Sequence, residues 1–182
     1  VMSPGDMGHG IGRALRESGR RVLTNLTGRS ERSRSLAQEA GLEDAASLEA
    51  IMAEADLVLS ILPPAAAIGF AEESARAMHA AGRTPPFADL NAISPATSAK
   101  IGQIIAGAGA SYIDGSIIGL TPGKAAPPRV YVSGPGADSL ESLTTETMIW
   151  RFVGPEPGQA STLKMLYAGL NKGTWALQCT MA

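Results

Sequence analysis

Cysteine is nearly absent from this sequence. Cys179 stands alone among 182 residues, which excludes a disulfide scaffold and a cysteine-rich metal site. Histidine is scarce as well: His9 and His79 are the only two, and neither has metal-ligand spacing to another residue. No metal is therefore expected. Aromatic residues are 4% of the chain, so the core is expected to be aliphatic. A strong excess of either charge is missing too. The 15 basic and 17 acidic residues leave a net charge of −2, with no basic block or aromatic–basic interleaving to form a nucleic-acid groove. No apolar run is long enough to span a membrane, and no secretory leader is visible. A reducing cytoplasm is the expected compartment, and Cys179 is expected to be a small buried apolar residue.

What is present is an alternation of short apolar runs with longer Ala-rich segments of helical spacing. That alternation predicts a parallel sheet flanked by helices. Strands are predicted at Arg21 to Leu26, Leu57 to Leu62, Phe87 to Leu90, Ser111 to Ile118, Arg129 to Ser133 and Arg151 to Val153. Helices are predicted from Met7 to Ser18, from the Ser30 cap through Ala40, from Ser47 to Ala53 and from Ala65 to Ala81. Another starts at Ser94-Pro95 and runs to about Ala106, where a capping hydroxyl is followed by proline at the first helical position. Asp138 and Glu141 resemble a capping box for a helix through Met148. A long helix is expected from Gln159 to Ala182. The fold class is thus α/β, a Rossmann-type doubly wound, mostly parallel sheet that ends in a long C-terminal helix. Only Val1-Met2 precede the first turn, so the first strand is expected to be missing or shortened and the chain to be a piece of a longer protein.

Ser3-Pro4-Gly5-Asp6-Met7-Gly8 lies between that shortened strand and the first helix. Small residues there permit a tight turn, backbone approach to a pyrophosphate and close helix–strand packing. The helix N-terminus adds free N–H groups and partial positive charge. Pro4, Gly5, Asp6, Met7 and Gly8 are therefore candidate dinucleotide contacts. His9, next along, is expected to be exposed or packed rather than a ligand. About twenty residues on, an NAD site usually carries an acid for the ribose 2′-hydroxyl. Here the segment is Asn25-Leu26-Thr27-Gly28-Arg29-Ser30-Glu31-Arg32, with no acid at the strand end. Arg29 can pair with a 2′-phosphate and Ser30 can donate a hydroxyl, so NADP is preferred to NAD.

The order of motifs resembles the β-hydroxyacid dehydrogenases, the group that includes 3-hydroxyisobutyrate and 6-phosphogluconate dehydrogenases. The glycine turn stands for the family's GxGxMG, with Ser3 in place of the first glycine. Leu62-Pro63-Pro64 matches its loop along the cofactor, and Asp89-Leu90-Asn91-Ala92-Ile93-Ser94-Pro95 its segment near the nicotinamide ribose. The resemblance thus adds Leu62, Pro63 and Asn91 to the cofactor site. The family's D-x-P-V-S-G-G substrate loop reads here Asp114-Gly115-Ser116-Ile117-Ile118-Gly119-Leu120, with Ile118 where a serine would meet substrate. Ser116, Gly119 and Thr121 remain as candidate substrate contacts. Gly158 to Lys164 matches the last motif up to its lysine, whereas Ala168 stands at the asparagine position and Asn171 lies on another face.

The resemblance makes Lys164 the candidate catalytic acid/base, in a dehydrogenase acting on a hydroxy acid or sugar acid, most similar to a 6-phosphogluconate-dehydrogenase-like branch. It implies an NAD(P)-binding domain over residues 1–157. Residues 158–182 would begin an interdomain helix leading to an all-α domain beyond this chain, so the chain itself is expected to have little activity. The full-length protein would be a homodimer with a small-molecule substrate. Two alternatives remain: a non-catalytic NADP(H)-binding module, or an enzyme like the imine reductases, which usually carry another residue at the lysine position.

Overall fold

The computed structural model describes residues 1–181. The elements follow in the order α1 (Asp6–Glu17), β1 (Leu23–Thr24), α2 (Glu31–Ala40), β2 (Glu43–Asp44), α3 (Leu48–Glu54), β3 (Val58–Ser60), α4 (Ala67–Ala81), β4 (Phe87–Asp89), α5 (Pro95–Gly107), β5 (Tyr112–Ile118), β6 (Arg129–Ser133), β7 (Ile149–Gly154) and α6 (Gln159–Met181). Short 3-10 turns occupy Pro64–Ala66 and Ala137–Leu143. Five strands form one sheet in the order β3-β4-β5-β6-β7, and β1 pairs in parallel with β2. All pairings are parallel except β5 with β6. Met2 makes a parallel bridge to Ser60, and the Val1 nitrogen lies 2.7 Å from the Leu23 carbonyl oxygen. Val1 and Met2 therefore lie between the two groups of strands.

Side-chain alternation sorts the core into two layers. Val58, Phe87 and Tyr112 point to the face covered by α3, α4 and α5. Their neighbours Leu59, Ala88 and Ile113 point to the face covered by α1 and α2. Helices on both faces make the sheet doubly wound, as expected for parallel strands that are apolar on both sides. The core is mainly aliphatic, yet its two largest fully buried side chains are Trp150 and Phe87.

Local capping explains several helix boundaries. Ser30, Ser47 and Ser94 each accept an N–H from three residues on, and α2 and α4 end at left-handed Gly41 and Gly82. Several expectations need correction. The strand at Glu43–Asp44 was not anticipated, because its exposed acidic pair carries no strand pattern. The helix expected through Met148 is a 3-10 segment ending at Leu143, and Glu141 accepts the Phe152 N–H instead of closing a capping box. Most strands are shorter than expected, Arg21–Leu26 shrinking to Leu23–Thr24, although Arg151–Val153 extends to Ile149–Gly154. Cys179 is exposed, not buried, because α6 buries only Ala160 and Ser161 in its first turn. The long helix is otherwise as expected up to Met181, with Ala182 outside the described residues.

Candidate nucleotide and substrate site

The glycine turn places the start of α1 at the carboxyl edge of the sheet, where ligands of open α/β sheets bind. Ser3 adopts a left-handed backbone (φ 68°), a conformation that suits the glycine the resemblance puts there. A Cβ on Gly8 would overlap the Ser3 carbonyl oxygen, so the helix passes the turn at a distance only glycine allows. A Cβ on Gly5 would meet nothing within 4 Å. That open space beside the helix N-terminus, which has no side-chain cap, suits a pyrophosphate. Pro4 is buried, Met7 packs against the core, and the Asp6 carboxylate is exposed. His9 is half-buried, its Nδ1 lying 3.0 Å from the Gly5 carbonyl oxygen.

Ser30 caps α2, and Arg29 precedes it with a half-buried side chain outside every ion pair among the described residues. Arg32 is different: its Nη2 lies 2.7 Å from Asp6 Oδ1, joining the first turns of α1 and α2.

A buried polar row crosses the sheet one layer below this edge. Ser60, Asp89, Asp114 and Ser133 are mutual partners in the register of β3 to β6, and all four are fully buried. Asp89 accepts the Asn91 N–H at 2.8 Å and one Asn91 Nδ2 hydrogen at 2.9 Å; Ser60 Oγ accepts the other at 2.9 Å. With both amide hydrogens committed, the Asn91 Oδ1 accepts the Leu62 N–H. Asn91 is thus brought to Leu62 and the exposed Pro63, but its polar atoms are spent on holding that loop. Burial pushes the Asp89 carboxyl up to about 6, against the lowering effect of the Asn91 hydrogen bonds and with Asp114 adding to the rise.

Asp114 accepts from Ser98 Oγ, Ser133 Oγ, Gly158 N, Ser161 N and Ser161 Oγ. Two of these are N–H groups at the start of α6, and Ser133 Oγ takes a third from Ala160 at 3.1 Å. Lys164 follows one turn later, and its Nζ donates to the Ile117 carbonyl at 2.7 Å. The lysine is half-buried, and desolvation, with Lys172 nearby, lowers its affinity for a proton.

The other candidate substrate residues are spread out. Ser116 is 2% exposed with an unpartnered Oγ, and Gly119 is exposed with φ 125°. Thr121 lies against Gly10 of α1, where its Cγ2 fills the space of a side chain. Sequence reasoning assigned no role to Asp89, Ser98, Ser133 and Ser161, and quoted Asp114 only as a motif match. Aspartates within two apolar strands, one closing β4 and one inside β5, were the available signal.

Residues 1–82 match the family described as NADP oxidoreductase, coenzyme F420-dependent. A conserved protein of unknown function, reported as structurally similar to 3-hydroxyacid dehydrogenases, superposes with a TM-score of 0.83 at 28% identity, covering 97% of this chain and 65% of that one. An uncharacterised 28.5 kDa protein of Methanothermus fervidus is 28% identical over 156 residues, 86% of this chain and 58% of its own. An imine reductase variant from Myxococcus stipitatus, solved with NAD+, shares the fold at 18% identity with a TM-score of 0.81, over 99% of this chain and 62% of that one. This chain spans about three fifths of each, from 58% to 65%. Fold and family match agree with the resemblance read from the motifs: the first 82 residues are similar to an NADP oxidoreductase family, and the chain has the α/β architecture of a protein reported as structurally similar to 3-hydroxyacid dehydrogenases.

Proposed function

We propose that this chain is the cofactor-binding part of an NADP(H)-dependent oxidoreductase that interconverts a hydroxyl and a carbonyl on a small hydroxy acid or sugar acid. The observation that carries the reading is Lys164. It is a half-buried amine with no acidic partner among the described ion pairs, held by Ile117 at the carboxyl end of β5. A partly desolvated lysine with reduced proton affinity is better suited to general acid/base work than a fully solvated one. A nicotinamide bound along the carboxyl edge would supply the hydride chemistry.

The residues present fit such a cofactor. Gly5 leaves room for the pyrophosphate at the α1 N-terminus, and Arg29, in no ion pair among the described residues, has a guanidinium suited to a 2′-phosphate. Leu62 and Pro63, fixed through Asn91, would line the nicotinamide side, so Asn91 acts as a positioning residue. Lys164 would hold the proton exchanged with the substrate oxygen, and Ser116, Gly119 and Thr121 belong to the strand and loop leading from it. The full-length protein would be dimeric and act in the cytoplasm, with residues 1–157 as the nucleotide domain and 158–182 opening the helix toward an all-α partner domain.

A second reading, reduction of a carbon–nitrogen double bond, is favoured by one observation: Ile118 leaves an apolar group where the resemblance puts a serine hydroxyl. A screen on a full-length version decides between them. Oxidation of hydroxy acids or sugar acids with NADP+ supports the first reading. Turnover only of a ketone with an amine supports the second, and coenzyme F420 is included as a hydride acceptor because the matched family's description names it. Absence of NADPH binding overturns both.

A further inference from the structure

Gly158, which precedes α6, has φ 98° and no side chain with which to cap the helix. The first-turn N–H groups of a helix need acceptors, and here strands supply them. Asp114 Oδ2 accepts Gly158 N at 3.0 Å and Ser161 N at 2.8 Å, while Ser133 Oγ accepts Ala160 N at 3.1 Å. The Ser161 hydroxyl adds a further bond to Asp114 Oδ1.

Three residues beyond Asp114 along β5, the Ile117 carbonyl receives Lys164, which lies three residues beyond Ser161 along α6. Strand and helix are therefore pinned at two points with the same spacing. Three residues of strand advance about 10 Å, whereas three of helix advance about 4.5 Å. The flexible lysine stem bridges the difference, so the place of Nζ depends on where the first turn of α6 is anchored.

We propose that Asp114 is a positioning residue for Lys164: by capping α6 from strand β5, it sets where the lysine amine sits at the sheet edge. This inference rests on the proposed role of Lys164 for its meaning in turnover, but its geometry is independent of any substrate. The carboxylate is itself oriented by Ser98 Oγ and Ser133 Oγ, at 2.8 and 3.2 Å. The charged and titratable groups around the arrangement are Asp89 and Tyr112, beside Asp114, and Lys172, further along α6.

The test is the proton titration of Lys164 in this chain without ligand, read as the pH midpoint of amine modification and quantified by peptide mass spectrometry. The exposed Lys100 and Lys124 serve as internal standards. In the unaltered chain the Lys164 midpoint is expected below those of both standards. In Asp114→Asn, loosening of the helix start should expose the amine and move its midpoint up into their range, with the far-UV spectrum retained. A direct electrostatic role predicts the opposite, because removing a nearby anion lowers a lysine's proton affinity. A downward or absent shift overturns the proposal. If Asp114→Asn does not fold, Ser161→Ala decides by the same signs, since it removes one hydroxyl donor and leaves the carboxylate. The outcome stays separate from the proposed activity: a lysine irrelevant to turnover would still titrate as described.

Discussion

Asp89 and Asp114 are direct register neighbours on β4 and β5, both fully buried and neither in an ion pair among the described residues. They divide the work of the buried polar row. Asp89 holds the Leu62 loop through Asn91, and Asp114 holds the start of α6, from which Lys164 follows.

The burial of Asp89, with Asp114 adding to its effect, predicts a pH-dependent stability. The Asp89 carboxyl rises from its ordinary value to about 6 in the folded chain, so the folded state binds the proton more tightly than the unfolded one. The stabilisation is present below the unfolded value, near pH 4, and is lost as pH rises through about 6. Its size is at most about 3 kcal/mol. Urea unfolding from pH 4 to 7 should show this fall, and Asp89→Asn should flatten it. An unchanged slope in the variant would mean that Asp89 is not the group responsible.

The glycine turn separates folding from binding. Gly8→Ala forces a Cβ against the Ser3 carbonyl oxygen and should lower the melting temperature as well as abolish NADPH binding. Gly5→Ala meets open space, so melting should be unchanged while NADPH affinity falls. Differential scanning fluorimetry beside a nicotinamide fluorescence titration distinguishes the two.

Cofactor choice should depend on Arg29. Arg29→Ala is expected to weaken NADPH by about 10–100-fold, the scale of a lost charge-assisted bond, and NADH little. Equal losses for both cofactors would sink the 2′-phosphate assignment.

The Asp6–Arg32 pair predicts the opposite sign. Both side chains are largely exposed, so the bridge itself contributes little to stability. Asp6→Asn removes a negative charge from the pyrophosphate end of α1 and frees Arg32. NADPH binding, measured at low salt, should tighten severalfold with no change in melting temperature.

Lys164→Ala in the full-length protein should lower kcat/KM by roughly 10²–10⁴-fold, the usual range for a lost acid/base group. Cofactor affinity should be preserved. Unchanged turnover on every accepted substrate would exclude the lysine from the chemistry.

Much of the molecule was legible locally. Ser30, Ser47 and Ser94 announced helix starts, Gly41 and Gly82 announced stops, and the apolar run around Val58–Ser60 announced a strand covered on both faces. The glycine turn and the absence of an acid beside Arg29 pointed to a candidate nucleotide site for the same reason: capping, turn chemistry and periodicity act over a few residues. Tertiary structure alone decided how those pieces are held. Gly158 offers no cap, and only folding brings Asp114, 44 residues earlier, to its N–H. Asn91 could have faced a ligand, yet the register of β3 and β4 turns its amide to Ser60, Asp89 and Leu62. Such contacts depend on which strands become neighbours and in what register, information that no local window of sequence contains.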